Sequence, residues 1–598
     1  MFATLIPTAS PASGSPKRIN RVARTVLTVG LAIVLASCGG GSGSSSETAN
    51  PGGNMRISAA MLPANSSDAY RFLTQASFGP TPESVARVSQ IGYDNWIDEQ
   101  FALPLQSTHQ QMAMASATAR GATDANVYDV LVTWWTHAVR DPAQLRQRVA
   151  FALSEIFVVS TTSQGNGRTV ASYMDMLDSH ADGSYRDLLE AVATHPAMGQ
   201  YLSHMSNRKE DTNTGRVPDE NFAREIMQLF SIGLYELDDS GNPKVVNGKQ
   251  VETYTADDIK GLAKVFTGWS WNWPSAKSAV IWWHCFWRAA DCKESSQDVS
   301  PMTPYAQEHS TSAKQFLGVT IPAQSSADPR ASLRIALDTL ANHPNTAPFI
   351  SRQLIQRLVT SNPSNQYVAD ITGVFRATQG NLHAVVKAIL LHDEARHPSN
   401  YDTTTYGKLR EPVLKWAHLL RAIPHNSVTY NSALSNGTLP IYQVYETDSA
   451  SSSLGQSPMR APSVFNYFRP GYKAPQSLMT TAGLVAPEMQ IANETSVIGY
   501  VNFVTAALRD GWGQWLPGST RYDIQFETAT WDSVASDASR LIDAVSTRLL
   551  GTVLQDDVRD QAITALSAIP AADANGKRVR ITGALLLVAA SPAFNIQQ

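Results

Sequence analysis

Helix starts of one kind recur along the chain and dominate what it can become. Thr81-Pro82 opens "TPESVARVSQIG" and Asp141-Pro142 opens "DPAQLRQRVAFALSEIFVVS". Each pairs an N-cap side chain with a proline at the first helical position, where the missing N–H has no intrahelical partner to lose. Leu145, Val149, Leu153 and Ile156 then recur at helical spacing. "SYRDLLEAVATHPAMGQYL", "TADDIKGLAKVFTGW", "TAPFISRQLIQRLVTSNPS", "NLHAVVKAILLHDEA", "REPVLKWAHLLRAI" and "DSVASDASRLIDAVSTRLL" follow the same logic. No extended series of alternating β-branched runs occurs, and no βαβ alternation. The pattern predicts an all-α fold: a large multi-helix globular domain over 66–598 with small β-hairpin or loop insertions near 238–252, 272–300 and 427–457. "DDSGNPKVVNGKQVE" carries turn signals around a Val-Val pair and reads as a hairpin. Residues 427–457, rich in Ser, Asn, Thr and Gly, read as a long loop. No fixed-period repeat is visible, which argues against a regular solenoid.

Residues 1–37 read as a signal peptide. Lys17, Arg18, Arg21 and Arg24 precede "TVLTVGLAIVLASC", whose roughly eleven to twelve apolar positions fall short of the ~20 that span a membrane. "LASC", Leu35 to Cys38, resembles the lipobox of bacterial lipoproteins, in which the chain is cut before a cysteine that then carries the lipid. The alternative is an ordinary secretory signal with a chance cysteine. Gly39 after the cysteine resembles the outer-membrane sorting pattern. The expectation is an exported protein, lipid-anchored through Cys38 to the outer membrane on its periplasmic or surface face. Residues 38–65 form its tether, and "GGGSGSSSETANPGG" within it is flexible by composition. Without the four leader cations the 47 basic residues become 43, against 51 acidic ones, a balance of −8. Such a surface does not attract phosphate backbones, so no nucleic-acid partner is expected. Cys285 and Cys292, in "CFWRAADC", suit a local disulfide in an exported compartment. Metal ligation is the weaker alternative, because no second CxxC or His pair completes a zinc site.

The chain has no GxSxG, HExxH, Walker A, strand-linked GxGxxG or CxxCH sequence, so no cofactor is legible. The densest polar chemistry lies in "VPDENFAREIMQLFSIGLYEL". Glu220 and Arg224 are spaced to pair along a helix. Asn221, Glu225 and Gln228 form a stripe beside the apolar face of Phe222, Ile226, Leu229 and Phe230. A carboxylate and an amide one turn apart can hold a hard cation or position water; equally, the cluster can be a cap and solvated face. Six of the 13 tryptophans fall between 269 and 287, and Trp269, Trp271 and Trp273 are candidates for stacking on sugar rings. The competing reading is a satellite core around the cysteine loop. His195, His309 and His343 each stand near a helix cap or turn, where hydrogen-bonded structural roles compete with ligand roles.

Together these stretches resemble the bacterial family called domain of unknown function 1800. The resemblance starts at "YRFLTQASFGPTPESV" and runs through "LRQRVAFALSEIFVVS", "PDENFAREIMQLFSIGLYEL", "YTADDIKGLAKVFTGW", "HSTSAKQFLG" and "HPNTAPFISRQLIQRLV". It continues through "GQSPMRAPSVFNYFRPGY" to "ALLLVAASPAFNIQQ". It implies an exported helical protein, often encoded beside another exported family resembling the sulfatase and alkaline-phosphatase superfamily, and no established reaction. In the family's central motif, Glu220, Asn221, Arg224 and Glu225 match. Asp219 replaces an Asn and Gln228 replaces a later Glu, so an acid at that last place is not carried over. Ser310 stands where the family has Asp after His309, which weakens a His–Asp dyad.

Two functions follow as expectations. The first is a cell-surface hydrolase acting on a polymer or conjugate, with Glu225 as general acid/base or ligand, Asn221 and Arg224 orienting substrate, His309 a second acid/base or ligand, and Glu220 grouped with them in the site. The second is a non-catalytic, lipid-tethered glycan-binding or scaffold protein for a partner exported enzyme, with Glu220–Arg224 and Asn221–Glu225 locking helices.

Overall fold

The computed structural model describes residues 62–598 apart from 164, 273–277, 401–403, 437–438 and 516–519. The predicted leader, Cys38 and its tether therefore lie outside the described residues. Helices carry the architecture, and the strands form small sheets of two or three. One continuous apolar core runs from Ala69 in the first described helix to Phe594 near the last residue, through every long helix between them. No helix among the described residues is long and apolar enough to cross a membrane.

The helix starts behave as their side chains require. Thr81 accepts from Ser84 N while Ser84 Oγ closes the reciprocal bond, and Pro82 opens the Pro82–Ile91 helix. Asp141 differs from expectation. The helix begins two residues later, at Gln144–Ser154, and Asp141 ends the preceding Val127–Arg140 helix instead. The reason is its two partners: Oδ1 accepts from Ala143 N (2.7 Å), and Oδ2 takes the Nδ1–H of His137 (2.7 Å). Between them it ties two helices across a tight corner.

The 238–252 insertion is a hairpin, with Val245–Val246 antiparallel to Lys249–Gln250. Asn247 (φ 53°) and Gly248 (φ 76°) make its turn, the left-handed pair that matches strand twist. The 427–457 segment begins with order its composition does not announce, and residues 439–457 run without helix or strand as a long loop. His425–Ser427 is the edge of a three-stranded sheet, and a helix, Val428–Asn436, follows. Buried Asp523 organises it, accepting from Ser427 Oγ (2.9 Å), Thr429 N (3.0 Å), Thr429 Oγ1 (2.8 Å) and Gln443 N (3.0 Å).

Three remote segments converge on the C-terminal end of the Thr346–Leu358 helix, whose last carbonyls are buried. Lys408 Nζ donates to the Gln356 and Arg357 carbonyls (2.9 and 3.0 Å), and Arg148 Nη2 donates to Arg357 O (2.6 Å). Gln597 Nε2 reaches Leu358 O and Val359 O (both 2.8 Å). Cations and an amide are what a buried helix C-terminus requires. The Ile596–Gln597 strand also pairs antiparallel with Lys408–Leu409, fixing the 408–411 segment in place.

Candidate functional site

The structure separates the residues the sequence groups together. Glu225 points inward from the Asn221–Gln228 helix at 7% exposure, and its Oε2 has no hydrogen-bond partner. Burial raises its pKa, with the Arg224 charge opposing. Tyr201 and Tyr254 are both pushed up to about 12, chiefly by burial, and the Glu225 charge adds to each. Tyr254 Oη donates to Gln228 Oε1 (3.3 Å). Glu220 and Arg224 make an exposed ion pair at 3.5 Å, and Asn221 Nδ2 reaches Ser203 Oγ at 3.4 Å. The helix starts after Asp219, whose Oδ1 accepts from Asn221 N (2.8 Å).

His309 is engaged elsewhere. Fully buried, it donates through Nδ1 to Thr267 O (2.8 Å), and its Nε2 lies 3.0 Å from Ser332 Oγ. Burial lowers its pKa to about 4. None of its hydrogen bonds reaches the Glu225 cluster. Trp269 is in the core, and Trp271 lies under the Arg288 guanidinium at 4.2 Å. Trp273 lies outside the described residues. Cys285 and Cys292 are bonded to each other across a Cα separation of 5.1 Å. The tryptophans most open to solvent on that loop are Trp283 and Trp287, at 40% and 48% exposure.

A second polar centre lies in the core, where sequence reading places only apolar packing. Glu155, directly after the Gln144–Ser154 helix, and Glu411, directly before the Pro412–Ala422 helix, are both buried and act on each other's ionisation. Neighbouring carboxyls out of water disfavour charging together. Burial raises the Glu155 pKa well above its usual value, against the Arg357 charge, and the neighbouring Glu411 adds to the shift. Glu411 moves down despite its own burial, because Lys408, Glu155, Arg357 and Arg148 favour its charged form. The balance favours the proton on Glu155 and the charge on Glu411. Glu155 Oε2 and Glu411 Oε1 are buried without a hydrogen-bond partner. The remaining oxygens are held: Glu155 Oε1 accepts from Arg357 Nη1 (3.3 Å) and Asn466 Nδ2 (3.2 Å), and Glu411 Oε2 accepts from Gln456 Nε2 (2.7 Å). Lys408 adds a buried ion pair with Glu488 at 3.0 Å.

Glu155, and not Glu411, lines a crevice of about 20 Å³ between the Gln144–Ser154 helix and the 456–467 segment. That volume admits a single water. A second small crevice shares Phe151, Ser154 and Met459 with it and reaches His109 and Asp178. There His109 Nε2 faces Asp178 Oδ2 at 3.4 Å, and the His109 and His137 rings lie 4.3 Å apart. On the other side, Arg410 Nη2 donates to His418 Nδ1 (2.9 Å), and His418 Nε2–H donates to Tyr70 Oη (3.0 Å). Tyr70 passes its own proton to Arg548 O (2.7 Å). This order fixes His418 as neutral, and burial and the Arg410 charge both drive its pKa down.

The arrangement can give a proton from Glu155, whose resulting carboxylate faces the Arg357 guanidinium. Among the described residues no group of three or more His, Cys, Asp or Glu side chains is placed to hold a metal ion. The available signal was charge inside otherwise apolar helices: Arg148 in "LRQRVAFAL", Arg357 in "RQLIQRLV" and the Glu of "LREPVLKW". Their pairing across the fold is tertiary and has no local trace.

Comparison with known proteins gives one match. The sequence pattern of the family described as "Protein of unknown function (DUF1800)" matches residues 71–596. No curated protein and no solved structure matches the chain.

Proposed function

The chain belongs to the DUF1800 family, whose description carries no reaction, and from the chemistry of its own site we propose that it is a hydrolase acting on a polymer or conjugate at the cell surface. The observation that supports this reading is the Glu155–Glu411 pair, a carboxyl at a crevice that burial favours in its protonated form and a second whose ionised form the surrounding cations favour. General acid–base hydrolysis uses such a combination. Glu155 protonates the leaving atom as water adds across the scissile bond, with Arg357 facing the carboxylate this creates, and the proton that water loses returns to Glu155, so the pair ends with the one proton it began with. The two carboxyls titrate as a coupled unit in this reading. Substrate must displace the 456–467 segment, since the crevice holds only one water. Glu225, with Asn221, Arg224 and Glu220 around it, is the second carboxyl in this reading, its pKa raised by burial. Anchoring through Cys38 and the neighbouring sulfatase- or phosphatase-like exported protein belong to the same proposal.

The test uses purified mature protein and its Glu155→Gln variant on 4-nitrophenyl glycosides, esters, phosphates and sulfates, and on isolated cell-wall polymer. Product release that falls about 100-fold or more in the variant, with unchanged circular dichroism, is expected. Equal release by both proteins removes the pair from the reaction.

One observation favours the second reading, a non-catalytic glycan-binding or scaffold protein. Trp283, on the Ser278–Phe286 helix, and Trp287, inside the disulfide-closed loop, present exposed indoles, with the Arg208 guanidinium 4.9 Å from the Trp283 ring. Retained glycan-array binding after Trp283→Ala would end that reading.

A further inference from the structure

A cleft of about 350 Å³ lies at the far end of the Pro412–Ala422 helix from Glu411. Arg140, Arg421 and Arg548 line it, each from the last turn of a different helix. The simplest account of such arginines is that they serve helix C-termini, and part of each does. Arg421 donates through Nε to Gly79 O (2.7 Å) and through Nη1 to Val139 O (2.8 Å). Arg548 Nε donates to Ala422 O (2.7 Å). Arg140 donates through Nε to Tyr442 Oη (2.6 Å) and through Nη2 to His425 Nε2 (3.0 Å).

These bonds leave much of the three guanidiniums unused. Among the described residues none of the three forms an ion pair, although Glu83 and Glu527 line the same cleft. Arg421 Nη2, both Nη atoms of Arg548 and Arg140 Nη1 have no protein partner there, and none is among the wholly buried unpartnered atoms. Arg140 is exposed and the free Arg421 and Arg548 atoms are not sealed from solvent, so all three residues, which line the cleft, have donors within reach of a ligand. The Arg140 charge also acts against Arg421, whose pKa falls to about 10 mainly through burial. His425 stays neutral, its pKa lowered to about 4 by burial and the Arg140 charge, so it holds Arg140 in place without adding charge. Three fixed cations against two rim carboxylates make a site with an unmet demand for negative charge.

A second cleft, of about 410 Å³, adjoins the first and shares Thr81 and Arg548 with it. Its wall is largely apolar, from Pro80, Pro82, Val85 and Trp531. We propose that the joined clefts bind an organic oxyanion: a carboxylate, sulfate or phosphate held by Arg140, Arg421 and Arg548, on a ring or apolar body that lies along Pro82 and Trp531. This assignment is independent of the hydrolase reading, since it uses neither Glu155 nor Glu411.

Calorimetric titration of the mature protein with phenyl phosphate, phenyl sulfate and benzoate, beside inorganic phosphate and sulfate, tests it. At least one ring-bearing anion is expected to bind one to one, more tightly than its inorganic counterpart, and to weaken as salt rises. Arg548→Gln and Arg140→Gln should each lower that affinity about tenfold or more, while Arg87→Gln, on an exposed pair with Glu99, leaves it unchanged. Glu527→Gln removes rim negative charge and should tighten binding, an effect that misfolding cannot mimic. No binding by any ring-bearing anion overturns the proposal. So do equal affinities for ring-bearing and inorganic forms, and so does binding unmoved by the two arginine substitutions and by Glu527→Gln.

Discussion

Glu155 and Glu411 share the influence of one guanidinium inside the core: Arg357 Nη1 donates to Glu155 Oε1 (3.3 Å), and the Arg357 charge favours the ionised form of Glu411. A glutamine at either carboxyl imitates the protonated form, so the two substitutions differ in sign. Glu155→Gln replaces the carboxyl that burial favours in its neutral form. Glu155 has a raised folded pKa, so in the native protein its cost to stability begins above the unfolded carboxyl pKa and is complete above the folded one. The variant should therefore match wild type at pH 4–5 and gain on it as pH rises. Glu411→Gln removes a buried charge that faces Arg148, Arg357 and Lys408, of which Lys408 keeps its pair with Glu488, and should lose about 3–5 kcal/mol at pH 7. Urea denaturation of the three proteins across this pH range checks both statements; a Glu411→Gln protein as stable as wild type would remove the charge assignment.

Lys415 gives an opposite pH signature. Its ammonium is buried, donates to Asn595 Oδ1 (2.8 Å) and lies 3.9 Å from the Tyr500 ring centre. Burial, helped by the Arg410 charge, lowers its pKa to about 7. A depressed lysine costs stability below its folded pKa, and the cost fades as pH climbs toward the unfolded value of 10.5. Lys415→Met should therefore improve Tm relative to wild type more at pH 6 than at pH 9. A difference that stays constant with pH would show the ammonium to be unperturbed.

Gly79 has φ +138°, and a Cβ there would fall 2.7 Å from His418 Cα. Both the backbone conformation and the close approach require glycine. Gly79→Ala should destabilise by about 2–4 kcal/mol and disturb the His418–Tyr70 hydrogen bond. Chemical denaturation gives the first, and the His418 ring resonances report the second.

Glu225 is the place where catalysis and packing make different predictions. Its folded pKa is raised by burial, so ionisation at neutral pH weakens the fold. Glu225→Gln should raise Tm at pH 8 and leave it unchanged at pH 4. If this carboxyl also turns over substrate, the stabilised variant loses activity. A variant with a higher Tm and full activity assigns Glu225 to packing alone.

The all-α architecture was legible because its signals are local. Thr81 and Pro82 start a helix through atoms three residues apart, and Asn247-Gly248 make their turn between adjacent residues. Asp141 shows how such signals fail: its side chain had a better partner in His137, one turn back, so the helix started later. Glu225 was legible as part of a polar stripe beside an apolar face, and its burial was not. Its grouping with His309 was not supported by any contact, because His309 satisfies its ring through Thr267 and Ser332. The Glu155–Glu411 pair was invisible for a different reason. Each glutamate stands at a helix end, where acids are ordinary, and only packing shows that the two ends meet.

The segments that cap the Thr346–Leu358 helix bear on how the molecule comes into existence. Arg148, Lys408 and Gln597 arrive from well-separated parts of the chain, and each completes the same buried end. Contacts this distant in sequence make folding slow and leave little for a partial structure to gain. Glu155 and Glu411 rest on those same segments, so the burial that moves their pKa values in opposite directions exists only in the finished molecule. An unfolded or half-folded chain carries two ordinary solvated glutamates. Completion of the fold and assembly of the pair are then one event.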